Sequence, residues 1–118
     1  MDAMSFELNV SVPAEARYAG AMGDLAVHAA RYAGCRGADA DAFGEAVRGV
    51  VLACAEEAGR GSELAAVVRR RNGALEFLVA CDRRFDAAPP RDRHSTVGWT
   101  RDGGRHVCCI ARAMPEDR

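Results

Sequence analysis

The chain has 118 residues, the size of a single domain, and 49% of them are hydrophobic, which is enough for one core. Its formal net charge is -1, which argues against nucleic-acid binding because nucleic-acid-binding proteins are usually strongly basic. All sixteen basic residues are arginine, so the chain has no lysine for phosphate binding or Schiff-base chemistry.

The first predicted element is a strand over Phe6–Val12, where apolar and polar residues alternate until Pro13 ends the pattern. A helix over Ala14–Ala33 follows, and Gly20 and Gly23 either weaken it or let another element pack closely against it. Its apolar residues recur at steps of three and four, which predicts one buried stripe. That stripe consists of Tyr18, Met22, Leu25, Ala29 and Tyr32.

A second helix, over Phe43–Gly59, carries the densest apolar face of the chain. Asp39 and Asp41 are both candidates for its N-cap, since a short carboxylate can accept hydrogen bonds from the first free amides. The residues expected to be buried are Phe43, Val47, Val50, Cys54 and Ala58.

Two hairpins follow the helices. Asn72-Gly73 between apolar runs predicts a tight turn joining strands Ser62–Arg71 and Ala74–Cys81. Residues 82–95 are charged and contain a Pro-Pro pair, which predicts a loop. The last two strands are predicted over Thr96–Arg101 and Arg105–Ala113.

This order of elements predicts a single α+β domain over residues 1–118, with a flexible tail at 115–118. We expect a two-layer sandwich, in which two helices cover one face of a mostly antiparallel sheet of four or five strands. We expect a cytoplasmic protein that does not bind membranes. The odd number of cysteines, five, and the absence of a signal peptide at the start favour a reducing compartment, and no apolar segment is long enough to span a membrane.

Residue types with possible chemistry lack the spacing that the chemistry needs. The cysteines and histidines form no chelating pair, so we expect no metal site and interpret the cysteines as small buried hydrophobes. No Walker-type or GxGxxG phosphate loop occurs. The run Arg69–Arg71 is interpreted as a solvated strand end, with a surface for an acidic partner as the alternative.

Four stretches of sequence, in this order of elements, carry a resemblance to a known family. They are FELNVSVPAEARYAGAMGDLAVHAARYAG, DADAFGEAVRGVVLACAEEA, SELAAVVRRRNGALEFLVACDRRFD and STVGWTRDGGRHVCCIARAM. They cover most of the chain and resemble the serine-kinase anti-sigma factors of the GHKL (histidine-kinase-like, Bergerat-fold) ATPase superfamily. The resemblance implies a Bergerat-like sandwich without the third helix and without the ATP lid, for which residues 82–95 leave no room.

The resemblance also implies that the nucleotide site is degenerate. The family's catalytic glutamate falls at Gly49 and its magnesium-binding asparagine at Ala53, and neither residue can position water or hold a metal. Asp82 matches the aspartate of the adenine-binding motif, but Arg83 and Arg84 replace the glycines that follow it. We therefore expect no nucleotide binding, no cofactor and no catalysis.

The function implied by this resemblance is regulatory binding without ATP. We expect a pseudo-kinase that acts as an anti-sigma factor, binds a sigma factor or a STAS-type anti-anti-sigma protein, and can form a homodimer. The family's partner surface includes the exposed side of the first helix, which here carries Glu15, Arg17, Asp24 and Arg31. The alternatives are a divergent ATP-binding serine/threonine kinase that uses Asp82, or a dimeric scaffold or sensor domain.

Overall fold

The structure, a computed structural model, describes residues 5–57, 61–71, 73–81 and 95–114. The loop predicted over residues 82–95 is wrong at Ser95, which is the first residue of a strand. Residues 82–94, the tail over 115–118, Ala58 and Asn72 lie outside the described residues. The elements follow the predicted order, with a short 3-10 turn before the first helix. They are β1 (Phe6–Pro13), the 3-10 turn (Ala16–Tyr18), α1 (Ala19–Ala33), α2 (Gly37–Glu57), β2 (Glu63–Arg71), β3 (Ala74–Cys81), β4 (Ser95–Asp102) and β5 (Arg105–Ala113).

The five strands form one sheet in the order β1-β2-β3-β5-β4, and every neighbouring pair is antiparallel. The β4–β5 hairpin turns through Gly103 and Gly104, whose φ angles of 58° and 82° are left-handed and favour glycine. Both helices pack on the same face of this sheet, α1 over β2 and β3 and α2 over β3 and β5. The predicted α+β class and two-layer architecture are therefore confirmed.

The core lies between the helices and this face of the sheet, which we call the covered face. In β3 every second residue is buried, and Leu75 and Phe77 are completely inaccessible to solvent. Phe43 and Val47 of α2 reach the same core, which confirms the predicted apolar face of that helix. The other large side chains that are fully or almost fully buried are Val51, Cys54, Val68, Val79, Cys108 and Ile110.

The two helices approach each other closely through glycine. A Cβ on Gly23 of α1 would lie 3.0 Å from the carbonyl oxygen of Gly44, and a Cβ on Gly44 would overlap the side chain of Val27. The prediction that a glycine of α1 permits close packing is therefore confirmed for Gly23. At Gly20 a Cβ would meet nothing within 4 Å, so that residue is simply exposed.

The predicted buried stripe of α1 is wrong at Tyr32, whose exposed fraction is 67%, and is only partly right at Tyr18 and Leu25, which are half-buried. Because α1 contacts α2 through small residues, the helix is rotated so that an alanine-rich stripe faces the core. Tyr32 instead packs edge-on against Phe6 of β1, with ring centroids 5.4 Å apart. The residues of α1 that are buried are Ala19, Met22, Gly23, Ala26, Ala29, Ala30 and Ala33.

The second helix begins earlier than predicted, at Gly37, so Asp39 and Asp41 lie inside it and neither is its N-cap. The Asp39 carboxylate contacts Arg112 of β5, with 3.0 Å between Oδ1 and Nη2. Only 5% of Arg112 is exposed, so this ion pair anchors the first turn of α2 to the sheet.

The interpretation of Arg69–Arg71 as a solvated strand end is wrong for Arg70. Its side chain points to the covered face, only 8% of the residue is exposed, and Nη1 donates a hydrogen bond of 2.7 Å to the carbonyl oxygen of Ala33. Ala33 is the last residue of α1, where carbonyl groups have no partner within the helix. Arg70 therefore gives a carbonyl group at the C-terminal end of α1 its hydrogen-bond donor, and its positive charge interacts favourably with the helix dipole there.

Candidate functional site

The opposite side of the sheet, which we call the open face, carries no helix among the described residues. Its side chains are those that alternate with the covered-face residues in each strand. Its two outer strands are polar, with Asn9 and Ser11 in β1 and Thr96 and Thr100 in β4. The inner three strands are different, because β2, β3 and β5 all place apolar side chains on this face.

The centre of the open face is an apolar band of two adjacent rows. Val67, Leu78 and Cys109 are register partners across β2, β3 and β5 and form the first row. Ala65, Ala80 and Val107 form the second row in the same way. Five of these six residues are only half-buried and Ala65 is exposed, so solvent reaches the whole band.

Within this band the small side chains of Ala65 and Ala80 leave a hollow of about 420 Å³. Leu78 and Val107 form apolar walls, and Arg69 and Asp102 bring charge to its border. Asn9, Val10 and Ser11 of β1 line it as well, together with Ala66 and Val67 of β2. The arrangement, an apolar centre with a few polar groups around it, is typical of surfaces that bind another molecule.

A row of alternating charges borders the band at one end. Arg69 is the register partner of both Glu7 and Glu76, and its Nε donates to Glu76 Oε1 at 2.7 Å. The side chains of Arg69 and Glu76 are about one-fifth exposed, and Arg71 approaches the same carboxylate at 3.8 Å. At the other end Ser11 donates a hydrogen bond to Glu63. Polar groups thus surround the band at both ends.

Gly49 and Ala53, which the resemblance aligns with the catalytic residues of the anti-sigma kinases, lie on α2 and not on the open face. Gly49 is exposed on α2, and a Cβ there would meet nothing within 4 Å. Ala53, one helical turn later, is half-buried. Asp82 lies outside the described residues. The described part of the site therefore offers no carboxylate or amide at the two helical positions.

The predicted partner-binding residues do not form one cluster. Glu15 and Arg17 pair with each other at 3.1 Å in front of α1, and Arg17 also lies over the ring of Tyr18 at 5.0 Å. Arg31 contacts Asp41 of α2 at 3.5 Å. Asp24 is exposed near the middle of α1. The four side chains are at the surface, as expected, but three of them hold ion pairs within the protein.

Three thiols meet on the covered face near the last turn of α2. The Sγ atoms of Cys54 and Cys81 are 2.8 Å apart, and no disulfide joins any of the five cysteines. The hydrogen bond with Cys81, together with burial, raises the pKa of the Cys54 thiol, and burial raises the pKa of Cys108 to about 12. Cys54 and Cys108 are therefore protonated and behave as small hydrophobes. Among the residues described, no group of three or more potential metal ligands occurs.

His106 adds one unsatisfied group to this region. It is the register partner of Cys81, and its Nδ1 is buried without a hydrogen-bond partner among the described residues. A buried nitrogen without a partner costs stability, so this end of the covered face is less well satisfied than the end held by Arg70 and Arg112.

Sequence reasoning did not select the apolar band as a site, although β3 contains the signal. A strand that is covered on one face should alternate apolar and polar residues, but Leu78 and Ala80 make β3 apolar on both faces. Val67 has the same effect in β2, and Val107 and Cys109 have it in β5.

No protein-family model matches the chain, and no curated protein matches it either. Among the residues that the structure describes, no helix is both long and apolar enough to cross a membrane. The fold and the open face are therefore the basis for a functional proposal.

Proposed function

We propose that the protein is a non-catalytic regulator that binds another protein through the open face of its sheet. The observation that carries the proposal is the apolar band, in which Val67, Leu78 and Val107 remain accessible at the centre of a surface with a polar border. An accessible apolar centre inside a polar rim is how protein–protein interfaces are generally built.

The size of the open face suits a protein partner. Five strands of about eight residues, at the usual strand spacing and rise, span roughly 600 Å². A stable protein–protein interface buries about 800 Å² on each partner. A partner that covers the whole open face, including the charged row of Glu7, Arg69 and Glu76, would bury most of that area, and contacts beyond the edges of the sheet would supply the rest.

Because the sequence resembles the anti-sigma kinases, we propose that the partner is a bacterial sigma factor or a STAS-type anti-anti-sigma protein in the cytoplasm. The proposal takes binding to be independent of ATP, since glycine and alanine stand at positions 49 and 53. Glu7, Arg69 and Glu76 alternate in sign, so they favour a partner surface that also carries both signs.

The experiment is a binding screen with purified proteins. The wild-type protein and the Leu78→Glu variant are immobilised, and a panel of sigma factors and STAS-type proteins is passed over both without nucleotide. We expect at least one member to bind the wild type, and binding to weaken at least tenfold in the variant because a carboxylate then enters the apolar band. If no member binds, the anti-sigma proposal fails; if one binds both proteins equally, the open face is not the binding surface.

Two further arms separate the alternatives. A double charge reversal, Asp24→Arg with Arg31→Glu, tests the exposed side of α1; if it abolishes binding while Leu78→Glu does not, the partner binds the helix. A calorimetric titration with ATP and magnesium tests the enzyme alternative. Binding of ATP that Asp82→Asn abolishes would overturn the non-catalytic proposal.

A further inference from the structure

The contact between Cys54 and Cys81 is unusually short for two thiols. Their Sγ atoms are 2.8 Å apart, which is less than 1 Å longer than the ~2.05 Å of a disulfide bond. The two residues are 27 positions apart in the chain, on α2 and β3, and both are buried, with exposed fractions of 1% and 6%. The fold has therefore brought two distant thiols to a distance that small side-chain adjustments can close.

We propose that Cys54 and Cys81 are a disulfide-forming site, which a small peroxide oxidises and which then joins α2 covalently to β3. This inference does not depend on the proposed binding function, because it concerns the covered face. Cys81 is the last described residue of β3, and Cys54 lies in the last turn of α2, so the bond would fasten this end of the helix layer to the sheet.

The reaction balances with hydrogen peroxide as the oxidant. The Cys81 thiol loses its proton to water, and its sulfur attacks one peroxide oxygen while the O–O bond breaks and the released hydroxide takes up a proton. The sulfur of Cys54 then attacks the sulfur of the resulting sulfenic acid and the S–O bond breaks. The leaving hydroxide takes up the proton of the Cys54 thiol and departs as a second water. Overall, two thiols and one peroxide give one disulfide and two waters. Cys81 attacks first because it is the more exposed of the two.

The environment of the pair favours this bond over other oxidation products. Cys54 lies within bonding reach of the sulfenic acid, and disulfide formation removes that intermediate before a second peroxide can reach it. Cys108 lies on the same face of the neighbouring strand and is the register partner of Val79, two residues from Cys81. It is the residue that would compete as the second thiol, so the test has to distinguish it.

The test is peptide mapping of the full wild-type chain after mild treatment with hydrogen peroxide. Remaining thiols are blocked under denaturing conditions and the protein is digested with trypsin without reduction. Cleavage after arginine places Cys54 in peptide 49–60, Cys81 in 72–83, and Cys108 and Cys109 together in 106–112. We expect free thiols to fall from five to three and peptide 49–60 to be linked to 72–83, and dithiothreitol to reverse both changes.

A thermal melt gives the second measurement. Closing a loop of this length should raise the midpoint of wild-type unfolding by about 10 °C. Cys108→Ala should show the same shift, whereas Cys81→Ala should show none. A link from 106–112 to either of the other two peptides, or five free thiols after peroxide treatment, would overturn the proposal. The peptide map decides the question in the wild type even if a variant does not fold.

Discussion

The two faces of the sheet are built from the same strands but differ in burial and in their surroundings. On the covered face, Leu75, Phe77 and Val79 of β3 are buried under two helices and belong to one continuous core. On the open face, Glu76, Leu78 and Ala80 of the same strand are only half-buried by their neighbours. Adjacent residues of one strand therefore differ in what they contribute to stability and in what they can contact.

The difference also extends to charge. On the covered face, Arg70 and Arg112 are buried, and they hold the last residue of α1 and the first turn of α2 through hydrogen bonds and an ion pair. On the open face, Arg69 and Glu76 pair with each other at the surface, next to an apolar band that no described element covers. Charge on the covered face thus supports the fold, while charge on the open face remains in part accessible to solvent.

The largest expected difference between the faces concerns neighbouring residues of β3. Phe77→Ala should lower the free energy of unfolding by about 3–5 kcal/mol, because it empties a fully buried position. Leu78→Ala should cost only about 1 kcal/mol, because that side chain is already partly in water. Urea denaturation of the two variants measures both, and equal losses would contradict the assignment of the two faces.

The second comparison sharpens the roles of neighbouring arginines in β2. Arg70→Ala should cost about 1–3 kcal/mol, because the carbonyl oxygen of Ala33 at the end of α1 loses its donor. Arg71→Ala should change stability by less than about 0.5 kcal/mol, since its side chain is mostly exposed. Chemical denaturation is the measurement. A larger loss of unfolding free energy for Arg71→Ala than for Arg70→Ala would show that the covered face does not depend on the Arg70 guanidinium.

A third comparison uses two glycines of α2, one facing α1 and one facing solvent. Gly44→Ala should destabilise by about 1–3 kcal/mol, because its new methyl would overlap Val27 and push the helices apart. Gly49→Ala should stabilise by about 0.5–1 kcal/mol, because alanine favours the helix and the methyl meets nothing. Thermal unfolding of the pair checks both signs, and stabilisation by Gly44→Ala would refute the close helix contact.

The smallest effect is expected for the ion pair on the open face. A double-mutant cycle with Arg69→Ala and Glu76→Ala should give a coupling energy of about 0.5–1 kcal/mol. The coupling should weaken when the salt concentration rises, because both side chains are partly in water. A coupling that is several times larger and insensitive to salt would mean that this face is as buried as the other.

Local patterns in the sequence were sufficient for most of the fold. The turns at Asn72-Gly73 and Asp102-Gly103-Gly104 predicted the strands Ala74–Cys81 and Arg105–Ala113 with the bounds that the structure has, and the helical period of α2 predicted its buried face. These patterns work because turn residues mark where a strand begins or ends, and the spacing of apolar residues shows which side of a helix is buried.

Features that depend on distant residues could not be predicted in this way. Apart from Met22, the buried side of α1 consists of alanine and glycine, and these residues also occur on its exposed side, so Tyr32 was placed wrongly. Arg70 donates its hydrogen bond to Ala33, which is 37 positions away in the chain, and Cys54 contacts Cys81, which is 27 positions away. The apolar residues of the open face are visible in the sequence, but only the arrangement of the helices shows that no described element covers them.

The most direct test of the claim that a partner binds the open face makes the same substitution, leucine to glutamate, in the sheet and in the helix layer. Leu78→Glu lies in the apolar band, and Leu52→Glu is the same change at an exposed leucine of α2, which is 37% exposed. The affinity of each variant for the proposed partner, a sigma factor or STAS-type protein selected in the binding screen, is measured together with its unfolding free energy. We predict at least a tenfold loss of affinity for Leu78→Glu and none for Leu52→Glu, with both proteins folded. Equal affinities, or a loss confined to Leu52→Glu, would contradict the account.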